Sequence, residues 1–146
     1  MTKVILYTDG GARGNPGVAG AGVAILSEQG AVLKEASLPL GTKSNNQAEY
    51  EAVIFGLGEL KKFLGKEKIK TAQVELRLDS ELVAKQLRGE YQIKEAELQP
   101  LFLKIWNARV KDFKNLTVTY VPREQNGLAD KLANRAMDEQ QNLFGH

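Results

Sequence analysis

The sequence predicts an α/β fold, a mixed sheet with helices on both faces. Three observations carry this reading. Five short runs rich in apolar and β-branched residues read as strands. Four other segments read as helices, and the order is β-β-β-α-β-α-α-β-α. The 146 residues, 42% hydrophobic and 26% charged, suffice for one domain with one core, spanning 1–146.

Residues 3–7 (KVILY) read as a buried strand that ends at Asp9. Residues 18–26 (VAGAGVAIL) form a second, with small residues where another element can pack closely. A short SEQG turn leads to a third at 31–40, and a glycine-rich turn at 10–17 joins the first two. The first three strands therefore form an antiparallel meander. Residues 44–64 read as a helix with Val53, Leu57, Leu60 and Leu64 on one stripe. Ser44 with Gln47 fits a capping box, and Asn46 with Glu49 offers a competing one. The basic connector GKEKIKT leads to a strand at 74–78 that ends at Asp79. Ser80 opens a short helix that stops at Gly89. The next helix spans 95–113, with Pro100 near its start and Trp106 spaced with Phe102 as a core residue. A fifth strand at 116–121 and a closing helix at 128–140 follow, with 142–146 expected to be a flexible tail.

Composition removes several chemistries. There is no cysteine, so disulfides, thiolate metal sites and thiol nucleophiles are excluded. The single histidine is His146, at the expected frayed end, which leaves neither a Ser-His-Asp triad nor a histidine zinc site. No long apolar run or secretory pattern is present, so no membrane span and a cytoplasmic location are expected. The net charge of +2 neither demands nor excludes a nucleic-acid partner.

Acid-base or metal chemistry must rest on carboxylates. Asp9 and Asp79 end strands, Glu49 lies at the edge of its helix's buried stripe, and Asp130 lies in the first turn of the last helix. Taken singly, each is an ordinary cap, turn or helix-dipole residue. As a set beyond the carboxyl ends of strands they would repel, and hard divalent cations, Mg²⁺ or Mn²⁺, would relieve that repulsion. The glycine run YTDGGARGNPGVAG lacks the Gly-Lys-Ser/Thr of a Walker loop, and a strand follows it where a dinucleotide loop requires a helix.

YTDGGARGNPGVAGAG, NNQAEYEAVIFGL, LDSELVAKQLRGEY and VPREQNGLADKLANRA occur in the order and spacing of a type 1 ribonuclease H, and the chain resembles that family over essentially its whole length. The resemblance implies the ribonuclease H-like fold with a five-stranded mixed sheet. It implies a monomer that cleaves the RNA strand of RNA–DNA hybrids by a two-metal-ion mechanism, leaving 5′-phosphate and 3′-hydroxyl ends. It places the metal-binding catalytic carboxylates on Asp9, Glu49, Asp79 and Asp130, with two Mg²⁺ ions and Mn²⁺ as a substitute. It places substrate contacts on Gly10, Gly11, Arg13, Asn15, Ser44, Asn45, Asn46 and Gln47. Short polar groups and free backbone amides suit the reading of a 2′-hydroxyl in a minor groove.

The sequence departs from the best-known bacterial pattern twice. A histidine often precedes the last aspartate; here Arg123 and Glu124 stand in that loop. Glu124 as a substitute and Arg123 as a phosphate contact both stay open. A basic, tryptophan-rich insertion is missing, because GEYQIKEAELQP passes directly into the next helix. Tyr91 and Lys94 are left for a smaller contact with the DNA strand. Lys104, Arg109, Lys111 and Lys114 read as a solvated helix face or as added phosphate contacts. No separate hybrid-binding domain is expected before Lys3. Weak, salt-sensitive substrate binding follows.

Overall fold

The computed structural model describes residues 2–144. Five strands form one sheet: β1 (Lys3–Gly14), β2 (Gly17–Ser27), β3 (Val32–Lys43), β4 (Gln73–Leu78) and β5 (Asn115–Tyr120). Their order is β3-β2-β1-β4-β5. The first three pair antiparallel, and β4 joins both β1 and β5 in parallel. Four helices complete the chain: α1 (Asn45–Leu64), α2 (Glu81–Leu87), α3 (Gln99–Lys111) and α4 (Gly127–Phe144). The expected mixed α/β architecture and element order are present. No helix of the described residues is long and apolar enough to cross a membrane.

The helices divide between the two faces of the sheet. Successive strand residues point to opposite sides. A Cβ added at Gly10 would meet Ala48 of α1, whereas one at Gly11 would meet Met137 of α4. The main core lies on the α1 side, where Leu6, Leu76 and Leu78 of the sheet pack against Tyr50, Val53, Leu57 and Leu60 of α1. Ile105 of α3 joins the same core. α1 begins where expected, because Ser44 and Gln47 close a reciprocal capping box. The competing box does not form, since the Asn46 amide donates to Glu95 Oε2 at 3.2 Å.

Three expectations need correction. The glycines do not form a turn over 10–17. β1 runs through them to Gly14, each paired with β2, and only Asn15 and Pro16 make the reversal. Ladder hydrogen bonds and neighbouring elements stabilise a strand that glycine's own propensity disfavours. Trp106 is not core: it is 51% exposed and stacks on Phe102 at 6.4 Å. α3 buries Ile105, one position earlier, and turns Leu103, Trp106 and Val110 to solvent. Arg109 does not offer a phosphate contact, because it donates to the carbonyls of Leu87 and Leu116 at 3.0 and 3.4 Å.

Other boundaries also move, and β3 runs to Lys43 rather than 40. α3 starts at Gln99 rather than 95, and residues 88–98 join α2 to α3 with no inserted helix. α4 continues to Phe144, so 142–144 belong to the helix; Gly145 and His146 of the expected tail lie outside the described residues.

Candidate active site

The site lies where β1 and β4 part. Their parallel pairing ends at Tyr7↔Arg77, while β1 continues beside β2. Asp9 is therefore two residues past the last β4 partner, and Asp79 directly follows the last residue of β4. The crevice beyond the carboxyl ends of strands is where α/β folds hold ligands.

Two glycines bring helices to this point. The Cβ of any larger residue at position 10 would lie 1.9 Å from the Ala48 carbonyl oxygen, so only glycine lets α1 press so closely on β1. That contact sets Glu49 beside Asp9. Gly22 is the register partner of Asp9 on β2, and its Cβ would lie 2.1 Å from the Ala129 carbonyl oxygen. It thus admits α4, whose next residue is Asp130.

Oxygens of Asp9, Glu49 and Asp79 all lie within 4.8 Å of one another. Asp130 lines the same open cleft of about 460 Å³. Asp9 and Glu49 are buried, Asp79 is half-buried and Asp130 is exposed. Burial first, then the Asp79 and Asp130 charges, pushes the Asp9 carboxyl up to about 8. Burial, with Asp9 and Asp79, raises Glu49 well above the usual carboxylate range. Glu49 Oε2 is buried without a hydrogen-bond partner. Among the described residues, no lysine or arginine forms a salt bridge with any of the four. Crowded acidic oxygens, an orphaned buried oxygen and no salt bridge from a protein cation to these carboxylates fit a hard divalent ion.

The other sequence candidates divide. Gly10, Gly11, Arg13, Asn45, Asn46 and Arg123 line the cleft with the carboxylates. Asn15, Ser44, Gln47, Tyr91, Lys94 and Glu124 do not. Asn15 Oδ1 accepts from the Asn45 N–H at 3.0 Å, and Asn45 Oδ1 accepts from the Ala12 N–H at 3.1 Å. The hairpin tip is thereby latched to the start of α1. Ser44 and Gln47 close the cap, Ser44 Oγ accepting from the Gln47 N–H and Gln47 Oε1 from the Ser44 N–H. The Tyr91 ring lies 4.9 Å from Lys85 Nζ, on the exposed segment between α2 and α3 that also carries Lys94.

Two asparagines escape sequence reasoning. Asn134 donates to the Asp130 carbonyl at 3.0 Å and to its carboxylate at 3.3 Å, and accepts from Arg13 Nη2 at 3.0 Å. Arg13 also pairs with Asp138 at 2.7 Å. Asn126 is buried and donates to the Thr8 carbonyl and to Asp79. The available signals were positional: Asn134 lies one helical turn after Asp130, and Asn126 immediately precedes the helix.

The family model described as "Reverse transcriptase-like" matches residues 7–136. Ribonuclease HI of Halobacterium salinarum is 38% identical over 137 residues, covering 94% of this chain and 65% of that protein. Bifunctional protein Rv2228c of Mycobacterium tuberculosis is 37% identical over 93% of this chain; the chain spans 36% of that protein's length. LC11-RNase H1, isolated from compost, superposes with a TM-score of 0.90 at 46% identity, covering 96% of this chain and 99% of that one. The same enzyme has been solved in complex with an RNA/DNA hybrid, with a TM-score of 0.90 at 45% identity, covering 94% of this chain and 98% of that one. Sheet order and helix placement thus define a ribonuclease H-like fold. Within that class, the chain belongs to the type 1 ribonuclease H family.

Proposed function

We propose that this chain is an endoribonuclease that hydrolyses the RNA strand of RNA–DNA hybrids, leaving 5′-phosphate and 3′-hydroxyl ends. One observation carries the reading. Asp9, Glu49, Asp79 and Asp130 line a single cleft, and its wall also carries the backbone of Gly10 and Gly11, the amides of Asn45 and Asn46, and the guanidinium groups of Arg13 and Arg123. The carboxylates suit metal-assisted phosphodiester hydrolysis, and the backbone and amides suit a sugar edge bearing a 2′-hydroxyl.

In this reading the four carboxylates hold two Mg²⁺ ions, with Mn²⁺ able to substitute. When bound, such ions supply an activated water and charge neutralisation at the phosphate. The chain's own residues do the rest. Gly10 and Gly11 let a strand approach the β1 backbone, Asn45 and Asn46 offer hydrogen bonds to the sugar edge, and Arg13 and Arg123 meet phosphates. Asn15 and Ser44 serve a DNA-strand phosphate, with Gln47 holding the cap that presents Asn45 and Asn46. Tyr91 and Lys94 extend the DNA contact, and Glu124 is the weaker accessory because it lies off the cleft. The reading includes one catalytic domain, acting as a monomer in the cytoplasm.

A substrate panel tests it. Labelled hybrid, double-stranded RNA and double-stranded DNA are incubated with Mg²⁺ or Mn²⁺, with EDTA as control. The expected result is cleavage of the RNA strand in the hybrid alone, abolished by EDTA. Cleavage of double-stranded DNA, or EDTA-resistant cleavage of hybrid, would overturn the reading.

A further inference from the structure

We propose that Asn126 is the positioning residue of the acidic cleft, its side chain holding Asp79 against β1 at the start of the helix that carries Asp130. Three contacts of one residue converge. Its Nδ2 donates to the Thr8 carbonyl at 2.9 Å, immediately past the point where β4 stops pairing with β1. The same Nδ2 donates to Asp79 Oδ2 at 3.2 Å. Its backbone carbonyl accepts from the Asp130 N–H at 3.0 Å, the first turn of α4.

β1 and β4 diverge here, so no sheet hydrogen bond fixes Asp79 relative to Asp9. The Asn126 amide replaces that missing rung with a bridge from β1 backbone to Asp79 carboxylate. The residue is 1% exposed, so the bridge competes little with solvent. Its Oδ1 is buried without a partner, so the side chain's contribution comes through its donors. A carboxylate group cannot donate, and alanine offers nothing; neither can hold Asp79. Partners that orient metal ligands in this way change metal affinity or activity by about 10–100-fold when removed.

The proposal rests on the functional reading above. Its test is Mn²⁺ titration of the metal-free protein by calorimetry, for the wild type, Asn126→Ala, Asn126→Ser and Asp9→Asn. Asn126→Ser keeps a small donor near Asp79. The expected result is saturable binding by the wild type, weakened about 10–100-fold in Asn126→Ala and less in Asn126→Ser. Hybrid kinetics provide the second readout: kcat of Asn126→Ala recovers as Mn²⁺ rises, and KM for hybrid stays within about twofold of wild type. Equal Mn²⁺ affinity in folded Asn126→Ala would overturn the positioning role while leaving the functional reading intact. Failure of both Asn126 variants to fold would assign the residue to the fold instead. Absence of Mn²⁺ binding in the wild type, or binding unchanged in Asp9→Asn, would overturn the functional reading and this inference with it.

Discussion

At Asp9 the chain sets a carboxylate where burial and two neighbouring acids oppose its ionisation. The folded state therefore holds a proton that the unfolded state releases. A carboxyl raised from 3.8 to about 8 contributes stability that is present below pH 4 and is lost as pH rises towards 8. Asp9→Asn removes that cost. In metal-free protein its melting temperature should exceed the wild type's by more at pH 9 than at pH 5, and saturating Mg²⁺ should shrink the gap at pH 9 by stabilising the wild type. Thermal melts at the two pH values, with and without metal, check this. A gap that is constant with pH would contradict the burial argument. The same proton must leave before a cation binds, so Mg²⁺ affinity should climb as pH rises from 6 towards 8.

At the scale of elements, the site depends on how closely helices approach strands. Gly22→Ala would set a Cβ 2.1 Å from the Ala129 carbonyl and push α4, with Asp130, off β2. Overpacking of this kind costs about 1–3 kcal/mol. Urea unfolding should show that loss, with cleavage falling further than stability alone explains. Gly58 on α1 is the contrast. It is helical and exposed, with nothing within 4 Å of an added Cβ, so Gly58→Ala should gain about 0.5–1 kcal/mol and leave cleavage unchanged. A destabilised Gly58→Ala would contradict the packing described here.

Much of this was legible in the chain. Apolar runs located β4 and β5, and Ser44 with Gln47 located the start of α1. Glycine hid the rest of β1, because a run of residues without side chains has no alternation to read, and its pairing with Ala19, Gly20 and Gly22 is a tertiary fact. Trp106 misled because spacing from Phe102 gives a helix face but not which face α1 covers. Asp79, Glu49 and Asp130 were readable as strand-end and helix-start residues, whereas Asp9, read as a strand end, lies inside β1, two residues past its last β4 partner. Asn126 was not readable, since its partners Thr8 and Asp79 lie 118 and 47 positions away.

Over the whole molecule the charge is nearly balanced, with 20 Lys and Arg against 18 Asp and Glu. Arg13 and Arg123 are the cations that line the cleft, and residues 88–98 carry no basic insertion. Hybrid binding should therefore be weak and fall with salt through a small number of phosphate contacts. Arg123→Ala should lower the slope of log affinity against log salt by about one. Fluorescence anisotropy across a salt series checks this, and a flat salt dependence in the wild type would contradict phosphate contact altogether. The central claim is that the cleft around Asp9 does the cutting and the surrounding amides and backbone do the holding. Its most direct test is Asp9→Asn assayed in parallel for hybrid binding and hybrid cleavage with Mg²⁺. The account predicts a folded protein whose hybrid affinity is within a few-fold of wild type and whose cleavage is abolished; cleavage at the wild-type rate would contradict it.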